Sequence, residues 1–151
     1  MKISSSGNAG NSASSVATSY PWSSLNPGST VVDVGGSVGH VSIAIAEAHP
    51  DLNFIVQDRP QVAENAHVGP EVAESVAKRV KFVGHDFLTP QTVVGDVYLF
   101  RWIFHAWPDA YVVKILRNLI PALKKGAKVV ASDQLMPEPG TVPLVAEREI
   151  R

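Results

Sequence analysis

Along the chain, short apolar runs alternate with stretches in which apolar residues recur at helical spacing. Residues 31–34 predict a buried strand. Residues 40–49 predict a helix with Val41, Ala44, Ile45 and Ala48 on one stripe, stopped by Pro50. A second strand is predicted over 54–56 and ends at Asp58, and the Ala- and Glu-rich segments 61–66 and 71–78 predict helices. Residues 80–83 and 97–102 predict a third and a fourth strand. Between the fourth and a fifth at 129–131, residues 111–123 predict a helix that turns Val112, Ile115, Leu116, Leu119 and Leu123 to the core, with Gly126 as its cap. A loop carrying Pro137, Pro139, Gly140 and Pro143 follows, and Glu147 opens a further helical pattern. Strands alternating with helices predict an α/β fold, a doubly wound parallel sheet of five strands.

The two ends of the chain read differently. Residues 4–19 are Ser, Gly, Asn, Ala and Thr with hardly a large apolar side chain, a composition that buries too little surface to offset its ordering entropy. This predicts a flexible leader over 1–19 and one domain over 20–151, with Tyr20 and Trp22 tacking the leader down before the Pro27-Gly28 turn. A 151-residue chain with 45% hydrophobic residues has apolar material for one domain and not two. Thirteen Lys and Arg against fourteen Asp and Glu give a net charge of -1, which removes the electrostatic case for nucleic acid or an anionic membrane as partner. No run approaches the roughly 20 apolar residues of a membrane span, and the opening MKISSSGNAG lacks the apolar core of a secretory signal. A soluble, cytoplasmic protein is expected. The absence of cysteine excludes disulfides, thiolate metal sites and cysteine nucleophiles.

In a doubly wound sheet, ligands sit beyond the carboxyl ends of the strands. Those ends carry the chemistry of this sequence. Gly35, Gly36 and Gly39 follow the first strand, where a missing Cβ lets the backbone approach a ligand and the helix pack on the strand; a tight turn without a ligand is the alternative. The spacing is not G-x-G-x-x-G, because Val34 stands where that pattern needs its first glycine. Asp33 leads into the loop, to orient it or to accept a hydrogen bond from an ammonium group. Asp58 suits the vicinal hydroxyls of a ribose, as in nicotinamide and methyl-donor cofactors, or caps the helix near Pro60. Asp86 and Phe87 offer an acceptor for an exocyclic amine and a flat surface for adenine, or form a turn and a core contact. His105 is a candidate base or a packed histidine, with Asp133 on the neighbouring strand. Trp102 is expected in the core, and Trp107 on the wall of an aromatic pocket. The remaining histidines lack paired ligand spacing, so no metal is expected.

The segments VVDVGGSVG (31–39), VQD (56–58), GHDF (84–87) and RWIFHAWPD (101–109) together resemble successive motifs of the S-adenosylmethionine-dependent O-methyltransferases, in particular fungal members of the caffeic-acid O-methyltransferase-like group. The likeness runs from about Tyr20 to Arg151. It implies a Rossmann-like methyltransferase core lacking its final strand pair. Gly35 and its neighbours would line the methionine part of the cofactor, with Asp58 on the ribose and Asp86 with Phe87 on the adenine. Arg101 stands where the family often has Lys near the cofactor. His105 matches the general base and Asp133 an acidic residue that orients it. The family usually has Asp or Asn after the base, where this chain has Ala106. An N-terminal dimerisation domain and the region after the fifth strand are also expected in full-length relatives, so the fifth strand would be left as an apolar edge prone to self-association.

A sulfonium methyl needs an oxygen nucleophile in line with it and removal of the acceptor proton, without a metal. A phenol has a pKa near 10 and an imidazole one near 6.5, so an imidazole accepts the proton only as the oxygen attacks. The implied reaction is methylation of a hydroxyl on an aromatic small molecule, with S-adenosylmethionine as cofactor. Two alternatives stand beside it: a domain that binds the cofactor without methyl transfer, and a nicotinamide-dependent oxidoreductase.

Overall fold

The computed structural model describes residues 12–133. Five strands, β1 (Thr30–Val34), β2 (Asn53–Asp58), β3 (Val80–Gly84), β4 (Val97–Arg101) and β5 (Lys128–Ser132), form a parallel sheet in the order β3-β2-β1-β4-β5. The expected doubly wound α/β topology is therefore present, with strand order reversing between β1 and β4. Strands buried on both faces read as continuous apolar runs, which is why β1 and β4 are legible as such. Val31, Phe54, Val56, Val97 and Leu99 face one core, shared with α2 (His40–Ala48) and α4 (Glu74–Ala77). Val32, Val34, Tyr98 and Phe100 face the other, against α5 (Asp109–Leu119). Full burial of a large apolar side chain stabilises by about 1.5–3 kcal/mol, so these inner strands anchor the domain. β5 contributes less, since Val129 stays 44% exposed.

Residues 13–19 correct the expected flexible leader. They form helix α1 (Ala13–Ser19), whose first turn is capped by Ser12 Oγ accepting the Ser15 N–H at 3.2 Å. Val16 and Ala17 are buried, and Trp22, 1% exposed, closes over them with its indole N–H donated to Val16 O at 2.9 Å. Two small apolar side chains suffice because one large aromatic supplies the rest of the contact. Residues 1–11 of the leader, the Pro/Gly loop and the pattern at Glu147 lie outside the described residues.

Three other elements depart from expectation. In α2 the buried stripe is Val41, Ser42, Ile45 and Ala46, rotated away from Ala44 and Ala48. Ser42 turns inward because its hydroxyl donates to buried Asp33 at 2.7 Å. The long helix ends at Leu119 and tightens into a 3-10 turn over Ile120–Ala122, since Pro121 has no N–H to continue the ladder. This phase change buries Ala122 and leaves Leu123 exposed, Leu116 is exposed on the helix itself, and Gly126 serves the turn before β5. Around the Gly69-Pro70 break, α3 (Pro60–Ala63) and α4 are short. Arg79 fastens this region: its guanidinium donates to Ala46 O and Leu52 O at 2.7 Å each and to His49 O at 3.2 Å, satisfying carbonyls at the end of α2.

Candidate functional site

The loop after β1 is held from the neighbouring strand. The N–H groups of Gly35 and Gly36 both donate to Gln57 O, at 2.8 and 3.0 Å. Gly39 opens α2 with φ +80°, and a Cβ there would lie 3.0 Å from the Phe82 ring. A Cβ on Gly36 would lie 2.6 Å from the Asp33 carboxylate. These two glycines serve close packing of loop and helix on the sheet. Gly35 is different, since its Cβ would meet Ile103 at 2.6 Å and Phe87 at 3.7 Å, both on the wall of a cavity.

That cavity, about 540 Å³, opens at the carboxyl ends of β1, β2 and β3. Gly35 forms its floor at β1, and Asp58 and Arg59 with Pro60 and Gln61 form the side at β2. His85, Asp86, Phe87 and Leu88 come from the end of β3, and Ile103 and Trp107 from the segment after β4. Asp58 does not cap α3. Its two oxygens accept the Ser37 N–H at 2.9 Å and the Arg59 N–H at 2.8 Å, tying the glycine loop to β2. Asp86 accepts the Leu88 N–H at 2.9 Å in a turn that presents Phe87 inward. Phe87 and Trp107 meet edge to face, ring centres 5.6 Å apart, and make a paired aromatic wall. Burial lowers the His85 pKa, against the opposing pull of Asp86.

Asp33 lies beneath the loop and not on the cavity surface. It is 2% exposed, and burial pushes its carboxyl up to about 6, opposed by the Ser42 hydrogen bond and the charge of Arg101. Arg101 ends β4 with its guanidinium 3.9 Å above the Trp102 ring. Trp102 corrects the expectation of a core residue. It adopts φ +57°, stands 42% exposed, and ends the strand one residue earlier than predicted.

His105 follows in a 3-10 turn (Phe104–Ala106), with Ile103 and Trp107 of the cavity wall on either side of it in the chain. Its Nδ1 lies 2.7 Å from Asp133 Oδ1 just past β5. A carboxylate only accepts, so Nδ1 carries the hydrogen, and in the neutral ring the lone pair is then on Nε2. The tips of β4 and β5 are further joined by the Trp102 N–H donating to Ser132 O at 3.0 Å. His105 and Asp133 thus meet at the same end of the sheet as Asp58 and Asp86. Among the described residues no group of three or more His, Asp or Glu has a metal-holding arrangement, and no helix is long and apolar enough to cross a membrane.

Sequence reasoning gave no site role to Arg59, Gln61, His85 and Ile103 on the cavity wall or to the buried amides Gln57 and Gln91 behind it, although Gln57, His85 and Ile103 stand in the strand-end motifs. One signal was present: a glutamine closing the apolar run Phe54-Ile55-Val56 has no reason to be there unless it is paired.

The chain is similar to known proteins throughout. It is 51% identical over 136 residues to a grayanic acid biosynthesis cluster O-methyltransferase of Cladonia grayi, covering 90% of this chain and 30% of that protein. It is also 51% identical over 152 residues to the dual O-methyltransferase/FAD-dependent monooxygenase elcB of Phaeosphaeria nodorum, covering 93% of this chain and 16% of that one. Among solved structures it superposes on the mitomycin 7-O-methyltransferase MmcR with a TM-score of 0.71 at 34% identity, covering 83% of this chain and 36% of that one. The methyltransferase CalO1 of calicheamicin biosynthesis, solved in its SAH-bound form, gives 0.74 at 28% identity, covering 89% and 38%. The chain therefore spans about a third or less of the curated relatives named here. Residues 7–148 match the O-methyltransferase domain family, and with that match over a sheet of this order the chain belongs to that family.

Proposed function

We propose that this domain binds S-adenosylmethionine in the cavity at the tips of β1, β2 and β3, and serves methyl transfer to a hydroxyl of an aromatic small molecule with His105 as general base. The observation that carries this reading is the 2.7 Å contact between His105 Nδ1 and Asp133, on the chain segment that also supplies the cavity wall. The cavity fits the cofactor. Its volume of about 540 Å³ lies within the roughly 300–1,000 Å³ of small-molecule sites. Asp58 uses its oxygens on two backbone N–H groups and keeps lone pairs for ribose hydroxyls. Asp86 with Phe87 and Trp107 offers an acceptor and flat apolar surface for adenine. Gly35, without a Cβ, lets Ile103 pack against the backbone at the cavity wall.

When bound, the cofactor supplies an electrophilic sulfonium methyl group. The residues of the chain supply the rest. His105 Nε2 takes the proton of the attacking hydroxyl, and Asp133 holds the tautomer and stabilises the imidazolium that forms. Asp33 on β1 and Arg101 at the end of β4 set the charge beneath the glycine loop. The acceptor is a small molecule.

Calorimetry with S-adenosylhomocysteine and a turnover assay on phenolic acceptors test the reading together. Saturable binding with methylation is expected. Binding without methylation would favour a cofactor-holding domain, and stabilisation by NAD but not by S-adenosylhomocysteine would overturn the assignment.

A further inference from the structure

We infer that Gln57 and Gln91 form a positioning pair that sets the spacing of the cofactor cavity's walls. The inference rests on the cofactor reading above. The two side chains are 1% and 4% exposed and lie 34 residues apart in the chain. They exchange both amide hydrogen bonds: Gln57 Nε2 donates to Gln91 Oε1 at 2.9 Å, and Gln91 Nε2 donates to Gln57 Oε1 at 2.8 Å. Gln91 Oε1 also accepts the N–H groups of Thr92 and Val93, at 3.1 and 3.0 Å.

The surroundings of the pair point to the cavity. Gln57 O accepts from Gly35 and Gly36, and the next residue is Asp58. On the other side, the Gln91 N–H donates to Asn118 O of α5 at 2.8 Å, and Asn118 Nδ2 donates to Phe87 O at 3.2 Å. Gly35, Asp58 and Phe87, three walls of the site, are thus each one link from the pair or from its α5 anchor.

Stability alone does not account for two amides there. A paired buried amide contributes little net free energy, and an unpaired one is costly. Apolar side chains, as at the preceding β2 positions, would fill the same volume at lower risk. What the reciprocal bonds add is direction and a fixed distance between the end of β2 and the segment after β3. An apolar contact has neither.

The test measures S-adenosylhomocysteine affinity by calorimetry and Tm by thermal unfolding for the wild-type chain, Gln57→Leu, Gln91→Met and the double variant Gln57→Leu/Gln91→Met. Each single variant leaves one amide unpaired, so Tm falls and affinity drops about tenfold or more. The double variant leaves no side-chain amide unpaired, so Tm recovers above that of the Gln57→Leu single variant, short of wild type by the Thr92 and Val93 N–H groups that lose Gln91 Oε1, while affinity stays at least about tenfold weak. A purely structural pair would recover both. Wild-type affinity in the double variant, or in any single variant, overturns the positioning role. If the wild-type chain itself does not bind, the cofactor reading fails and this inference falls with it; wild-type binding matched by the variants overturns the pair alone.

Discussion

The tips of β1, β2 and β3 and the tips of β4 and β5 lie at one end of a single sheet but are built in opposite ways. On the first side the groups that join the glycine loop to β2 are tied down. Asp58 holds two N–H groups, Gln57 O holds two glycines, and the Gln57–Gln91 pair closes behind them. On the second side Trp102 sits in the left-handed region and half in solvent, and the His105 side chain is 46% exposed. A single side-chain bond orients that histidine among the described contacts. Binding a ligand favours a preformed pocket, whereas moving a proton to and from an acceptor needs an open face. On the proposed function, the contrast would give affinity to one side and rate to the other.

The division fails most visibly if His105→Ala does not separate the two quantities. Methyl transfer should fall by about 10²–10⁴-fold, the usual worth of a general base, while S-adenosylhomocysteine affinity by calorimetry stays within about twofold. Equal losses in both would merge the two regions.

Asp58→Ala is the converse probe. Losing a charged acceptor typically costs about 1.5–3 kcal/mol, so affinity should weaken by about 10–100-fold. Near-normal affinity would remove Asp58 from the binding side.

Asp33 sharpens the boundary through pH. Its folded pKa of about 6 lies above the ordinary 3.8, so between those values the folded state binds more protons than the unfolded state. Its contribution to stability therefore falls as pH rises from about 4 to 6, by up to about 3 kcal/mol. Asp33→Asn keeps an acceptor for Ser42 and should flatten this part of the curve in denaturant titrations at pH 4 and 7. An unchanged pH dependence would place the titration elsewhere.

Trp102→Gly should change least. Relief of a left-handed non-glycine residue, worth about 1–2 kcal/mol, offsets the lost Arg101 stack at about 0.5–1 kcal/mol. Thermal unfolding should shift Tm by no more than a few degrees, and a large fall would show that this tip is braced after all.

Much of the site was legible before any coordinates. Asp58, Asp86, Phe87, His105 and Asp133 all stand at ends of apolar runs, and a parallel sheet sends every such end to one edge. What was not legible depends on contacts across the fold. Whether Gly36 and Gly39 face ligand or sheet turns on Asp33 and Phe82, residues from other elements. Trp102 reads as apolar, yet the turn required after β4 throws it into solvent. Helix α1 escaped notice because its buried face is completed by Trp22, outside its own span.

By itself the sequence determined the alternation of strands and helices, and therefore which residues stand at the carboxyl edge, because periodicity and strand ends are local properties. Only the tertiary structure decided which of those residues share a cavity, which brace it from behind and which face water. Those outcomes depend on strand order and on hydrogen bonds between residues such as Gln57 and Gln91, and no local pattern encodes a partner 34 positions away.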